Sequence, residues 1–383
     1  MDIRQAIEQL PSPCYVVDLS KLEANCQRLA QVQERTGAKV LLAMKGFAMH
    51  ATFPLVSQYL SGVCASSVHE AQLGNDYFPG ELHAYAPAFS DQNFIDLFSL
   101  ADHITLNSIA QWQRFQALSK THPNELIVGL RVNPEYSEVE VDLYNPCAPG
   151  SRLGIRAESL SGAELEGLTG LHFHTLCEQD SKALAGTLEA LESRFGTILN
   201  RQDIAWLNMG GGHHITREDY DLDHLCALID HMQSTYQVQV YLEPGEAVAL
   251  NTGYLSCTVL DMIENTLPIA ILDTSATAHM PDVLEMPYRP QVIGWDEANA
   301  DATTVRLGGL TCLAGDVVGD YKPDHIPEIG DRLVFADMAH YTMVKNSTFN
   351  GVPLPAIATF HPDDSAPTLV REFGYADYRD RLS

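Results

Sequence analysis

The sequence predicts an α/β protein that joins a (β/α)₈ barrel to a second, mostly antiparallel β domain. Eight short apolar runs alternate with segments of helical periodicity over about two hundred residues, which is the pattern of a (β/α)₈ barrel. Beyond about residue 255 the pattern changes to short β-rich runs separated by Pro, Gly and Asp, with little helical periodicity. These two patterns place the barrel first and the β domain after it.

The barrel prediction rests on eight strands with helix starts between them. The predicted strands are Val40–Met44, Gly62–Ala65, Leu82–Ala86, His103–Leu106, Leu126–Val132, Leu168–Phe173, Ile204–Met209 and Val238–Leu242. Ser20 and Ser67 each stand three residues before a glutamate, which is capping-box spacing, and Ser108 and Asp180 are further candidate N-caps. A doubly wound open sheet is the alternative, but the glycine fingerprint that usually follows its first strand is absent.

The second domain is predicted to consist mainly of antiparallel strands. Its predicted strands are Leu255–Met262, Ile269–Leu272, Thr303–Leu307, Arg332–Phe335, Ala356–Phe360 and Leu369–Phe373. An early strand, Cys14–Val17, precedes the first helix and is expected to join the same domain. We therefore expect a barrel over residues 20–254 and a β domain made of residues 1–19 and 255–383.

Composition and charge limit the classes of function. Fifty acidic residues against 23 basic ones give a formal charge of −27 over 383 residues, which argues against nucleic acid and anionic membranes as partners and suits a cationic small molecule. No apolar run approaches the roughly 18 residues of a transmembrane helix, and the start of the chain shows no signal-peptide pattern. The eight cysteines form no CxxC pair and are expected to be reduced thiols, so a cytoplasmic location is the default expectation.

Lys45 is the first candidate for chemistry. It follows the apolar run Val40–Met44 and is followed at once by Gly46. Apolar neighbours leave an ammonium poorly hydrated, which lowers its pKa and makes the amine available as a nucleophile. A lysine that only marks where a buried strand reaches solvent is the alternative interpretation.

Residues at other strand ends complete a candidate site. Gly210–Gly212 follow the seventh strand, where barrels commonly bind phosphate through backbone N–H groups. Glu243 follows the eighth strand, and His172 and His174 end the sixth. With Lys45, this set predicts pyridoxal 5'-phosphate as cofactor: Lys45 forms a Schiff base, Glu243 keeps the pyridine nitrogen protonated and His174 stacks on the ring. His172 is assigned no role.

A metal-dependent barrel hydrolase is the rival prediction. His172, His174, His213 and His214 could supply imidazole ligands, which are the commonest zinc donors. In that scheme Lys45 and the three glycines would have no evident function.

Seven segments in order resemble the fold type III pyridoxal phosphate decarboxylases, to which diaminopimelate and ornithine decarboxylases belong. The segments are Pro13–Ser20, Met44-Lys45, Gly170–His174, Asn208–Gly212, Glu243–Gly245, Gly309–Asp316, and His340-Tyr341 with Phe349–Gly351. The resemblance implies an alanine-racemase-like TIM barrel, phosphate contact by Tyr341, and a homodimer in which the β domain completes the partner's active site. It also implies that Cys312 reprotonates the product carbanion as a general acid.

Departures from the family pattern concern the substrate. Diaminopimelate decarboxylases have a glutamate after the cysteine, where this chain has Leu313, and an arginine after Glu-Pro-Gly, where it has Glu246. Replacing a cation by a carboxylate beside the cofactor inverts the charge preference for that part of the substrate. The pattern is similar to the branch of the family that decarboxylates carboxylated polyamines, and we expect Glu246, Asp282 and Asp316 to hold substrate ammonium groups. Cys177 replaces a serine that contacts phosphate in the family, which puts that contact in doubt.

Three other functions remain open. One is decarboxylation of a basic or dibasic amino acid such as diaminopimelate, ornithine, lysine or arginine. Another is an alanine-racemase-like reaction with a tyrosine base in place of Cys312. The third is a non-catalytic cofactor-binding or regulatory protein, against which the presence of Cys312 argues.

Overall fold

The computed structural model describes residues 1–122, 126–160, 165–295 and 303–383. The chain divides into two compact units, residues 24–248 and residues 1–23 with 249–383. We call them the barrel unit and the β unit. None of the described helices combines the length and the apolar character needed to cross a bilayer.

The strands and helices are numbered along the described chain. The strands are β1 (Cys14–Asp18), β2 (Lys39–Ala43), β3 (Gly62–Ala65), β4 (Glu81–Tyr85), β5 (His103–Leu106), β6 (Ile127–Arg131), β7 (Gly170–His172), β8 (Trp206–Asn208), β9 (Gln239–Leu242), β10 (Gly253–Asn265), β11 (Leu267–Leu272), β12 (Val305–Gly308), β13 (Val317–Tyr321), β14 (Arg332–Ala336), β15 (Ala356–Phe360) and β16 (Thr368–Arg371). The helices are α1 (Ile3–Ile7), α2 (Leu19–Thr36), α3 (Phe53–Val56), α4 (Val68–Tyr77), α5 (Asp91–Leu97), α6 (Ile109–Ser119), α7 (Ser181–Leu199), α8 (Leu222–Tyr236), α9 (Glu246–Ala249), α10 (Ala276–His279), α11 (Asp282–Glu285), α12 (Tyr341–Val344) and α13 (Tyr375–Arg379).

The barrel unit is a closed barrel of the eight parallel strands β2 to β9 in chain order. The last strand closes on the first through the pairs Lys39–Tyr241 and Val40–Leu242. The predicted eight-stranded (β/α)₈ barrel is therefore confirmed, with strand ends that differ by at most two residues from the predicted ones. The predicted N-caps Ser67, Ser108 and Asp180 each accept backbone N–H groups of the helix that follows.

One large side chain, Trp206, packs inside the barrel against two neighbouring strands. Trp206 on β8 lies so close to β6 and β7 that a Cβ atom at Gly129 or Gly170 would fall within 2.3 or 2.0 Å of its indole ring. Leu41 and Tyr241 pack with Trp206 in one buried cluster. Glycines on the two strands thus make room for the indole, and the barrel is a packed core rather than a pore.

The β unit contains one sheet with the strand order β13-β12-β11-β10-β1-β15-β16, and β14 pairs with β10 outside this path. Five of its seven described pairings are antiparallel, while β1–β15 and β11–β12 are parallel. The prediction of a mostly antiparallel β domain is confirmed. The early strand joins it as expected, because Cys14–Asp18 pairs with both β10 and β15.

Two local predictions need correction. The helix α2 begins at Leu19, and Asp18 rather than Ser20 accepts the first N–H groups, from Ser20 and Lys21 at 3.0 and 3.2 Å. The strand β13 was not predicted, because Gly319 and Asp320 interrupt its apolar pattern. In the sheet, Asp320 forms a two-pronged ion pair with Arg306 on the adjacent strand, at 2.7 and 2.8 Å.

Candidate active site

Four of the sequence-predicted residues or loops meet at the carboxyl end of the barrel strands. Lys45 follows β2, His174 follows β7, Gly210–Gly212 follow β8 and Glu243 follows β9. In a barrel of parallel strands these ends share one mouth, where barrel enzymes place their chemistry. The structure thus brings the predicted barrel residues to one face.

Gly46 lets the lysine loop lie directly on the glutamate loop. A Cβ atom at this position would fall 2.9 Å from the backbone nitrogen of Glu246 and from Cα of Gly245. The N–H of Ala43 donates to the carbonyl of Pro244 at 2.9 Å. These contacts explain why glycine follows the lysine: any larger residue would push the two loops apart.

Lys45 has the altered acidity that its sequence context predicts. Burial lowers the pKa of Lys45, the nearby Arg131 guanidinium lowers it further, and the charge of Glu243 opposes both without reversing them. A neutral amine is the nucleophilic form of lysine. The site therefore favours covalent chemistry at Nζ.

Glu243 is an ionised, buried carboxylate with its own set of donors. Its Oε1 accepts from Nδ2 of Asn208 at 2.6 Å, and its Oε2 lies 3.2 Å from Nε2 of His172. Burial raises the pKa of Glu243, but the adjacent His172 and hydrogen bonds from His172 and Cys64 lower it to about 2. Burial lowers the pKa of His172, and the adjacent Glu243 carboxylate opposes that shift. Glu243 thus carries a fixed negative charge at neutral pH.

The ring of His174 is fixed by the glycine loop. Its Nδ1 accepts from the N–H of Gly211 at 3.0 Å, and its backbone carbonyl accepts from Nη2 of Arg131 at 3.0 Å. Burial holds the pKa of His174 well below its usual value, and the charges of Lys45 and Arg131 add to this. A neutral, immobile imidazole is suited to stacking on a flat cofactor ring.

The three glycines pack so closely against neighbouring loops that only glycine fits there. An added Cβ would approach a backbone carbonyl oxygen to 2.4 Å at Gly210, 2.1 Å at Gly211 and 1.9 Å at Gly212. Gly210 and Gly212 also have φ angles of +68° and +83°, in the region that favours glycine. A glycine loop after the seventh barrel strand is a common position for a phosphate group, so the residues present fit the predicted cofactor.

Glu246 lies three residues after Glu243 and is the first residue of α9. Its Oε1 is 3.5 Å from Nε2 of His214, and its side chain is 21% exposed. The acid is therefore partly accessible, as a residue that contacts a substrate must be. The loop that carries Glu246 packs against Gly46, and Gly46 directly follows Lys45 in the sequence.

The histidines of the rival metal prediction have other partners. His172 pairs with Glu243, His174 accepts from Gly211, and Nδ1 of His213 lies 2.7 Å from the Tyr220 hydroxyl. None of the four belongs to a metal-capable group of three among the described residues.

The one such group in the described chain is Glu81, His83 and His103. Its imidazole rings stack 4.0 Å apart with an 8° tilt, so their in-plane lone pairs run side by side and cannot converge on one ion. Glu81 also forms an ion pair with Lys39. We interpret this cluster as a polar layer of the barrel interior.

The other predicted residues lie in the β unit. Cys312 is exposed, and its N–H donates to Oδ1 of Asn350 at 2.7 Å. Tyr341 begins α12 and is partly buried. Asp282 forms an ion pair with Lys345, so a substrate cation there would compete with one already present.

Asp316 does not have the surroundings of a free cation-binding acid. It is 4% exposed and accepts hydrogen bonds from the Ser275 and Thr311 hydroxyls at 2.6 to 3.0 Å, and from the N–H groups of Thr277 and Thr311 at 3.2 and 3.0 Å. Both oxygens are therefore occupied within the unit. This geometry favours a positioning role for Asp316 over contact with a substrate ammonium.

Sequence reasoning did not identify the residues that support the site. Arg131 is buried under the site, its guanidinium carbon lies 4.7 Å from the Tyr85 ring centre, and it holds the carbonyl of His174. Arg131 ends an apolar strand just as Lys45 does, so the same signal could have revealed it. Cys64 and His172 also stand at or near strand ends, but their link to Glu243 crosses from other strands and is not visible in the sequence.

The comparisons with known proteins agree with this geometry. The family model described as pyridoxal-dependent decarboxylase, C-terminal sheet domain, matches residues 14–339. A carboxynorspermidine/carboxyspermidine decarboxylase of Campylobacter jejuni is 44% identical over 97% of this chain and 98% of its own length. A carboxyaminopropylagmatine decarboxylase of Synechocystis is 46% identical over 98% and 96%.

A solved structure shows the same fold in detail. The crystal structure of carboxynorspermidine decarboxylase from Campylobacter jejuni, complexed with norspermidine, has a TM-score of 0.89 and 42% identity. The match covers 97% of this chain and 100% of that one. With the family model and these near full-length relatives in agreement, the chain belongs to the pyridoxal-dependent decarboxylases, enzymes whose cofactor is pyridoxal phosphate.

Proposed function

We propose that this chain decarboxylates carboxynorspermidine or carboxyspermidine, giving norspermidine or spermidine and CO₂ in polyamine biosynthesis. The observation that carries the proposal is Glu246, a partly accessible carboxylate beside the Lys45 loop, at the position where the family resemblance leads us to expect arginine. The Campylobacter jejuni enzyme, similar over its full length, binds norspermidine in its crystal structure. A net charge of −27 also favours a polycationic substrate.

In this proposal residues of the barrel unit and Tyr341 of the β unit would hold the cofactor. Lys45 would bind it through Nζ, and the Gly210–Gly212 loop and Tyr341 would hold its phosphate. His174 would stack on its ring, and Glu243 would accept a hydrogen bond from its pyridine nitrogen. When bound, pyridoxal phosphate supplies an electron sink for the pair released as the Cα–carboxylate bond breaks. The fixed charge of Glu243, with a pKa of about 2, suits a partner that must stay protonated.

The remaining steps use acidic and basic groups of the chain. The thiol of Cys312 donates its proton to the substrate carbon that lost CO₂, and solvent restores the thiol proton. Burial lowers the pKa of Lys45, which favours the amine form that would hold the cofactor between turnovers. Glu246 holds a substrate ammonium by a charge-assisted hydrogen bond. We retain Asp282 as a second candidate for this contact, in competition with Lys345.

The active enzyme in this proposal is a homodimer whose β unit completes the partner's active site, as the family resemblance implies. We place it in the cytoplasm. None of the eight cysteines, all of which lie in the described part of the chain, forms a disulfide, which fits thiols in a reducing compartment.

A second candidate substrate is carboxyaminopropylagmatine. The Synechocystis relative named for it is 46% identical to this chain, close to the 44% of the carboxynorspermidine enzyme. The two substrate types differ at the distal end, where one carries a guanidinium group and the other an ammonium. Glu246 can accept hydrogen bonds from either cation, because a carboxylate pairs with both.

The test combines a spectrum with a substrate panel. We expect the purified wild type to absorb near the visible edge, and Lys45→Ala to lose that band. In a CO₂-release assay we expect kcat/KM to be highest on carboxynorspermidine or carboxyspermidine. The values for the two should differ by no more than roughly 10- to 200-fold, since one methylene is worth about 1–3 kcal/mol.

Comparison substrates separate the alternatives. Carboxyaminopropylagmatine as the best substrate would support the second candidate, and ornithine or lysine as the best substrate would refute both. A colourless protein that releases no CO₂ from any of them would support the non-catalytic alternative.

A further inference from the structure

We propose that Asn350 is a positioning residue for proton transfer by Cys312, and that Asp316 fixes the same loop from its other side. This inference rests on the proposed role of Cys312 as proton donor. The Phe349–Gly351 segment, which the family resemblance places with the phosphate-contacting tyrosine, thereby gains a separate function within the β unit.

The loop that carries Cys312 has no helix or strand of its own. It runs from Gly309 to Asp316 between β12 and β13, and its neck is closed by a backbone hydrogen bond from Gly309 N to Asp316 O at 2.8 Å. A loop of this kind is mobile unless other groups tie it down. An exposed thiol at its tip needs such ties to meet a carbon atom reproducibly.

Asn350 supplies one tie directly at the cysteine. Its Oδ1 accepts the N–H of Cys312 at 2.7 Å, across 38 residues of sequence. Asn350 adopts φ +56° and ψ 13°, a left-handed conformation in which asparagine is favoured over most residues. The backbone conformation and the hydrogen bond therefore both favour asparagine at this position. The hydrogen bond also fixes the peptide group of Cys312, from which the thiol projects.

Asp316 supplies the second tie. It receives the N–H and hydroxyl of Thr311, the residue before Cys312, at 3.0 and 2.6 Å. The same carboxylate accepts the hydroxyl of Ser275, which also caps α10 by accepting the N–H of Ala278. The loop is thereby joined to the start of a buried helix. A Cβ at Gly309 would fall within 2.5 Å of this carboxylate, so the loop passes directly over it.

A positioning role predicts a specific kinetic result. Loss of the tie displaces the proton donor without removing a substrate contact, so kcat should fall while KM stays nearly constant. A residue that binds substrate would instead raise KM. The chain offers two informative replacements at this position. Asn350→Gly keeps the left-handed backbone and loses the acceptor, and Asn350→Asp keeps an acceptor oxygen.

The experiment compares wild type, Asn350→Gly, Asn350→Asp and Cys312→Ala as cofactor-loaded enzymes. We expect Asn350→Gly to lower kcat on carboxynorspermidine roughly tenfold with KM within about twofold, and Asn350→Asp to recover most of the loss. Independently of activity, hydrogen–deuterium exchange of a peptide spanning residues 309–316 should be faster in Asn350→Gly and near wild type in Asn350→Asp.

The outcomes separate this inference from the proposed function. Unchanged exchange in Asn350→Gly, or unchanged kcat, overturns the positioning role, and so does a raised KM at constant kcat. Wild-type enzyme that releases no CO₂ refutes the proposed function, while the exchange measurement still tests the tie. A fully active Cys312→Ala would refute the proton-donor role and the positioning role with it.

Discussion

Replacement of Glu246 by glutamine tests the proposed polyamine contact most directly. Two unit charges about 4 Å apart attract by about 4 kcal/mol at an effective dielectric constant near 20. The Glu246 side chain is 21% exposed, so solvent and desolvation reduce this. A charge-assisted hydrogen bond of about 1.5–3 kcal/mol is the expected remainder. Loss of this energy raises KM for carboxynorspermidine by roughly 10- to 150-fold, with a smaller effect on kcat.

The assay is steady-state CO₂ release at low and high ionic strength. The wild-type kcat/KM should fall with added salt more steeply than that of Glu246→Gln, because salt screens the interaction that the variant lacks. Glu264→Gln is the matched control: it removes one exposed carboxylate, so its net charge equals that of the test variant. A KM for Glu246→Gln within threefold of wild type, or an equal change in Glu264→Gln, would refute a local contact.

Three further predictions address the cofactor, the dimer and the barrel interior. Gly211→Ala places a Cβ 2.1 Å from a carbonyl oxygen, so cofactor affinity measured by titration should fall at least tenfold. The control variant Gly196→Ala, whose Cβ would lie 3.7 Å from Tyr236, should bind the cofactor as the wild type does. Equal cofactor affinities of the two variants would contradict the phosphate assignment. Mixed Lys45→Ala and Cys312→Ala chains should regain up to about a quarter of wild-type activity by random re-pairing, and no recovery would exclude a shared site. Burial and the charge of His83 lower the pKa of His103 to about 3. Between about pH 6.5 and pH 3, His103 is therefore protonated in the unfolded chain but not in the folded one. The free energy of unfolding falls as the pH drops through that window. Urea unfolding should lose about 1 kcal/mol from this group between pH 7 and 5.5, His103→Phe should reduce that slope, and an unchanged slope would refute the assignment.

The barrel was predictable because its signal is local and repeated. Most barrel strands are short apolar runs with an α-helix after them, and this repeated alternation predicts the closed order of the eight strands. The strand β13 was not predicted because its signal is not local. Its Asp320 interrupts the apolar pattern and forms an ion pair with Arg306 on another strand. A pairing of this kind is visible only once the sheet is assembled.

Site residues at strand ends were also predictable, whereas their supporting partners were not. Lys45, His174 and Glu243 stand at positions where a barrel places chemistry. The charge state of Glu243 depends on His172, which is 71 residues away in sequence, and on Cys64 from a third strand. Such a network follows from strand register, because a shift of one residue would turn each side chain to the other face.

The predicted substrate-binding acids show where sequence resemblance stops being informative. Glu246 and Asp316 both occupy family motifs, and the sequence offers no reason to separate them. The structure separates them by exposure: Asp316 is 4% exposed and accepts hydrogen bonds from four groups of its own unit, whereas the Glu246 side chain is 21% exposed and has a histidine 3.5 Å away. A carboxylate already occupied by four donors gains little from a substrate cation, because binding would exchange existing hydrogen bonds for new ones. Choice of the amine should therefore depend on Glu246, and Asp316 should affect the rate through the loop of Cys312.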